Sequence, residues 1–396
     1  MKCLSVLSVF LLAACASQQP VSTQAIPPQD SSQQVSTSAF APVLREDLFE
    51  SVENLPTIAQ ILSLPERQIA DMRAINKHRH ARNHQPANRQ VANYLQGQLP
   101  GFEYRAETLT PAQAIKQKAG NCMSLAALTL ALADAAGVEA DFQMVRTPPV
   151  FDRTTDTMIS SDHVRVRLYY SDNGVDKPLR RPHLLVDYFS DRRGRADRSV
   201  DRQEFYAMLY RNLAAEALLD GDLDRSFALA RKSLDFLPDY PQALNIMAIL
   251  HRRVGDPSTA EAIYHHALAV NGDSLDLISN LQVLLQSQGR DIEVEQLEQR
   301  IAKLPDHNPF HHIELAERAR TNGDLQSALR HLSITIDRTP YLHEAYWRKA
   351  VVLDELGQHQ RSAELMHQAL DLAQRPQARI SYKRKLSSMK TRPYRL

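Results

Sequence analysis

Cys122 is the residue best placed for covalent chemistry. It lies in KAGNCMSLAALTLALADAAG, where Gly120-Asn121 breaks one helix and Cys122 opens the next. A thiol at a helix N-terminus meets free backbone N–H groups and the positive end of the macrodipole, which favour the thiolate. The same N–H groups can hold a developing oxyanion, so Cys122 is itself an oxyanion candidate. Attack on an amide further needs a base that later protonates the leaving group, and a third group that orients that base. His163 in DHVRVRLYY and Asp187 in PHLLVDYF are the candidates. SDNGVDK between them is a turn signal, and a hairpin centred near Val175 sets positions 163 and 187 opposite each other. Directly paired cross-strand residues have Cβ atoms about 4.5–5.5 Å apart, close enough for an imidazole and a carboxylate to meet. His183 competes as the base from the same strand as Asp187.

The elements that position these residues follow from periodicity. LPTIAQILSL, PERQIADMRAINKH and RQVANYLQGQL return apolar residues every three or four positions and predict helices. LTPAQAIKQKAG predicts a short helix with Thr110 as N-cap, Pro111 at N1 and Gly120 as its stop. The helix opened by Cys122 is Leu/Ala-rich on nearly every side and closes at Gly137, so it is central and buried. ADFQMVR, DHVRVRLYY and PHLLVDYF read as strands, and SDRRGRADRSVDR as a polar connector of both charge signs.

From Phe205 onward the pattern is helical and repeats. Gly221, Gly255, Gly289, Gly323 and Gly357 are each 34 residues apart. Small residues recur before them (Ala214, Ala248, Ala316, Ala350) and after them (Ser233, Ala267, Thr335, Ala369), where two helices of a hairpin approach closely. Gln282, Val294 and Ile301 make the third unit degenerate, so it packs more loosely or bends the array. This is the period of the tetratricopeptide repeat, whose stacked units form a superhelix with a concave face suited to an extended peptide or partner helix.

The three cysteines have different settings. Cys3 lies in the N-terminal apolar run, and Leu12-Ala13-Ala14-Cys15 resembles the lipobox of bacterial lipoproteins. That resemblance implies removal of residues 1–14, acylation of Cys15 and, with Ala16 following, an outer-membrane position facing the periplasm. The apolar run is too short to span a bilayer. Residues 16–45, rich in Ser, Gln, Thr, Pro and Ala, read as a tether. In an oxidising compartment Cys122 then has no intramolecular partner and is either buried and inert or retained for reactivity.

Gly120-x-Cys122-x-x-x-Ala126 opening a central helix, His163 on a strand and Asp187 ending the next resemble the transglutaminase-like cysteine enzymes of the papain-like superfamily. The likeness spans roughly residues 60–200 and implies an α+β domain with Cys122 as nucleophile, His163 as base then acid, and Asp187 as orienting carboxylate. It departs at Arg165, where the family often has an aromatic residue. An upstream oxyanion Trp is also missing, since the sole Trp is Trp347; Tyr104 or Gln113 are the substitutes.

The expected organisation is a signal peptide (1–14), a tether (15–45), a transglutaminase-like domain (46–203), repeats (204–374) and a basic tail (375–396). Lys plus Arg (47) nearly balances Asp plus Glu (46), which gives no electrostatic case for nucleic acid. His78, His80 and His84 lack nearby acids or cysteines, and His265-His266 and His311-His312 fall on repeat helices, so neither a metal nor a cofactor is expected. The sequence-level reading is a lipid-anchored thiol peptidase or transamidase whose repeats recruit a protein, the alternative being a non-catalytic scaffold.

Overall fold

The computed structural model describes residues 44–78, 85–105, 107–153, 157–170, 182–187, 195–304, 309–373 and 383. The lipobox, His80, His84 and all but Lys383 of the tail lie outside them.

Helices α1 (Ile58–Ile61), α2 (Glu66–His78) and α3 (Ala87–Gln98) precede a short strand β1 (Glu103–Tyr104). Helix α4 (Pro111–Gln117) starts as expected, with Thr110 accepting from the Gln113 N–H and Pro111 in the first turn. Its end differs from the sequence reading. Lys118, not Gly120, takes the left-handed C-cap at φ 48°, and Ala119–Gly120 form β2, paired in parallel with β1. Gly120 is needed for another reason: its φ is +150°, and a Cβ there would lie 2.7 Å from Ser124 Cβ.

Helix α5 (Cys122–Ala135) is buried from Met123 to Ala133, as its Leu/Ala composition requires. It packs against a four-stranded antiparallel sheet ordered β5-β4-β3-β6, formed by β3 (Ala140–Arg153), β4 (Met158–Tyr169), β5 (His183–Val186) and β6 (Arg195–Val200). Val164, Val166 and Leu168 of β4 turn into the core, while His163, Arg165 and Arg167 on the alternate positions stay partly exposed. Strand β6 corrects the connector reading. Arg195–Val200 pairs with β3 at the sheet edge, where an exposed strand keeps polar residues.

Among the described residues ten helices follow as five antiparallel pairs: α6 (Arg202–Asp220) with α7 (Leu223–Phe236), α8 (Pro241–Arg253) with α9 (Pro257–Asn271), α10 (Leu275–Ser287) with α11 (Asp291–Lys303), α12 (Pro309–Thr321) with α13 (Leu325–Arg338), and α14 (His343–Glu355) with α15 (His359–Leu372). The five register glycines all have φ between +70° and +85°, the conformation that turns each hairpin. The degenerate third unit is the weak place. Helix α11 buries only Val294 and Leu297, and the main apolar core ends there while another begins at Leu275 and Phe310.

The sheet and the first repeats share one core. Phe142 of β3 stacks on Phe205 of α6, with ring centroids 3.8 Å apart. The segment before α1 lies on the same repeats: Phe49 stacks on Phe227 at 4.0 Å, and the Arg45 N–H donates to Nε2 of the fully buried His251.

Candidate active site

Cys122 is the only cysteine among the described residues and is free and half-buried. Its position is set by the cap below it. Asn121 accepts the Ser124 N–H at 2.8 Å, and Ser124 Oγ accepts the N–H groups of Asn121 (3.3 Å) and Leu109 (2.8 Å). The cap continues into the repeats, because Asn121 Nδ2 donates to Thr108 Oγ1 at 2.9 Å and the Thr108 N–H donates to Glu216 Oε1 of α6 at 2.7 Å. Burial pushes the Glu216 carboxyl up to about 6, against the downward pull of its bonds from Thr108.

His163 Nε2–H donates to Asp187 Oδ1 at 3.0 Å. Cys122 is the ring's other close neighbour and, with Asp187, acts on its protonation. Burial alone would lower the imidazole, but hydrogen bonds to Asp187 and Cys122 and their charge outweigh it and raise the ring to about 9. A ring raised that far keeps its proton at neutral pH, the state that can protonate a departing amine.

The hairpin register is one step from the sequence expectation. Val166 pairs with Val186 and Tyr169 with His183, so paired positions sum to 352 rather than the 350 expected; the SDNGVDK turn itself lies outside the described residues. Extending that register sets Asp187 across from Arg165, so Asp187 reaches His163 diagonally. Arg165 gains a role from this. Its guanidinium donates twice to Gln143 Oε1, at 3.0 and 2.8 Å, and stands 3.7 Å from Asp187 Oδ2, bracing the carboxylate from the side away from the ring. Nothing in the sequence pattern singled out Gln143, whose part depends on its cross-strand pairing with Arg165.

The other candidates separate. His183 is exposed beside the Tyr169 ring, and it is His163 that holds Asp187. Gln113 Oε1 accepts the Thr110 N–H at 3.0 Å as part of the α4 cap. The backbone of Tyr104 runs beside Gly120, but its side chain is outside the described residues. The first-turn N–H of Cys122 remains as an oxyanion donor that the helix itself supplies.

Neither a protein-family model nor a curated protein matches the sequence. Similar solved structures include YrrB, described as a TPR protein with an unusual peptide-binding site, at 17% identity over 46% of this chain and 94% of that one, TM-score 0.25. Pseudomonas aeruginosa pilF is 15% identical over 48% of this chain and 86% of that one, TM-score 0.33. A tetratricopeptide repeat protein from Parabacteroides merdae is 16% identical over 47% and 71%, TM-score 0.35. The assignment of repeat type rests on the 34-residue glycine register and the five hairpins it produces. The protein is an α+β region joined through a shared core to a tetratricopeptide-type array.

Proposed function

We propose that the protein is a partner-binding scaffold whose repeat array engages a protein, and that its Cys122 site performs thiol chemistry on an amide of that partner. The scaffold role is supported by the array: the first helices of five stacked hairpins line one inner face, which β4 covers at α8 and α10 and which continues onto α12. Glu314 is exposed and lies 34 residues beyond Asn280, which places it one repeat further along that face. A photo-crosslinking residue at Glu314 should capture a partner in cells, and one at the exposed Gln360 on a second helix should not. Equal capture from both positions would count against binding on the inner face.

The observation that carries the chemical reading is the 3.0 Å hydrogen bond between His163 and Asp187, on a ring whose protonation Cys122 also raises. In that reading Cys122 Sγ attacks the amide carbonyl, His163 gives its proton to the departing amine, and a thioester remains on sulfur. Water or a second amine then takes the acyl group, so peptidase and transamidase share every step but the last. The order of the three residues and their geometry support a transglutaminase-like domain. Labelling of Cys122 by iodoacetamide near neutral pH should be slowed about tenfold or more by His163→Ala. Equal rates in the two proteins would remove the chemical reading.

A scaffold without turnover has its own support. The upstream Trp of the family pattern is missing, the sole Trp being Trp347. Two surface concavities among the described residues, one between Leu62, Ile69 and Asp134 and one between Met144, Glu204 and Tyr240, lie away from Cys122 and could receive a partner instead. We also propose that Cys15 is acylated and holds the protein to a membrane, facing the periplasm. Mass spectrometry of the mature N-terminus tests this, and an unmodified Cys15 would refute it.

A further inference from the structure

The start of β4 is lodged among the repeats. Thr157, Met158 and Ile159 are all buried. The Met158 N–H donates to Asn280 Oδ1 at 2.8 Å, and its carbonyl accepts from Asn280 Nδ2 at 2.7 Å and Asn245 Nδ2 at 3.1 Å. Asn280 Nδ2 also lies 2.8 Å from Asn245 Oδ1, so the two amides hold each other in place. Both asparagines are 1% exposed, and they come from the first helices of consecutive repeats, α8 and α10. The Met158 side chain packs with Leu275, Phe310 and Ile313, and Thr157 Oγ1 accepts from Arg253 at 3.1 Å.

This arrangement reads main chain. Buried amides are tolerated only when hydrogen-bonded, and these two direct their bonds to both backbone groups of one extended residue. Among the described residues β5 pairs with β4 only from Val166 to Tyr169, and the outward N–H and C=O of Met158 meet side-chain amides rather than a strand. An extended segment with an unbranched apolar residue is the chemistry that fits.

We propose that Asn245 and Asn280 form an exchangeable peptide site, that Thr157–Ile159 is its resident occupant, and that an extended segment of a protein partner displaces it. Met158 and His163 lie on one strand, five residues apart, so displacement moves the base away from Cys122 or re-seats it. Partner binding and thiol reactivity are thereby coupled. The inference rests on the partner-binding reading and adds its occupant and its link to the thiol.

The probe is a fluorescent decapeptide with the sequence of residues 153–162, titrated against the full chain by anisotropy. The tethered occupant competes at high effective concentration, so Met158→Asp should bind the peptide about tenfold or more tightly than wild type. Adding Asn245→Ala and Asn280→Ala to that variant should reverse the gain. Binding that ignores the asparagines, or no binding to a Met158→Asp variant with wild-type circular dichroism, overturns the proposal. Should that variant not fold, hydrogen exchange on the wild type decides. Excess unlabelled peptide should accelerate exchange of the Met158 amide and change the iodoacetamide rate at Cys122, and no change in either refutes exchange. Elution as a dimer with hairpins swapped between copies also refutes it. Crosslinking at Glu314 that persists while the peptide fails would sink this inference alone, and loss of both would sink the partner-binding reading with it.

Discussion

Replacing Asp187 by Asn keeps a hydrogen-bond acceptor 3.0 Å from His163 but removes its charge. A hydrogen bond to a charged group contributes about 1.5–3 kcal/mol, so the imidazolium should lose about 1 to 2 pH units of its elevation. The ring is raised from 6.5 to about 9 in the folded protein and its side chain is 16% exposed, so screening by solvent is minor. A basic group raised on folding contributes stability that is fully present below about 6.5 and is lost as pH rises through about 9. At about 1.4 kcal/mol per pH unit that contribution is at most about 3 kcal/mol. Urea unfolding at about pH 6 and pH 9.5 should therefore show a loss in the wild type that shrinks in Asp187→Asn and vanishes in His163→Gln. Nuclear magnetic resonance of ring-labelled histidine reads the same quantity directly. A wild-type His163 titrating near 6.5, or an equal midpoint in Asp187→Asn, would refute the reasoning.

Other perturbations follow from the same geometry. Gly120→Ala should lower stability by about 2 kcal/mol or more in thermal melts, because the new Cβ meets Ser124 at 2.7 Å in a backbone region closed to side chains. The carboxyl of Glu216 is raised from 4.5 to about 6, so its buried charge costs stability above that range. Glu216→Gln should match the wild type near pH 4 and exceed it by about 1–2 kcal/mol near pH 8, as denaturant midpoints would report. Burial holds His251 below 6.5, and its neutral ring donates from Nδ1 to the Met247 carbonyl while accepting the Arg45 N–H at Nε2. Stability from that ring is present above 6.5 and lost as pH falls, so the protection of the Arg45 amide against exchange, relative to its intrinsic rate at each pH, should fall on acidification.

What could be read in advance was whatever depends on near neighbours. The glycine register gave the five hairpins because each turn needs a positive φ at one position, whatever lies far away. Asn121 before an apolar run marked the start of α5 for the same reason. The hairpin holding His163 and Asp187 was visible to within one residue, and a diagonal contact replaced a direct one. Long-range features were not legible. Arg195–Val200 looked like a connector because an edge strand tolerates charge, and only its pairing with β3 makes it sheet. Asn245 and Asn280 are polar residues on the buried faces of amphipathic helices, and their use depends on Met158, 87 and 122 residues away. Arg165 looked like a departure until Gln143 and Asp187 were brought to either side of it.

Helix α6 closes the sheet through Phe205 and opens the first hairpin with the same turns of backbone, so no joint separates the two regions. A load on the array is then carried into the strands as through a lever without a pivot. One melting transition should cover both, and truncation after residue 205 would strip the sheet of its lid rather than release a working half. Variants of single side chains are the instruments suited to such a body.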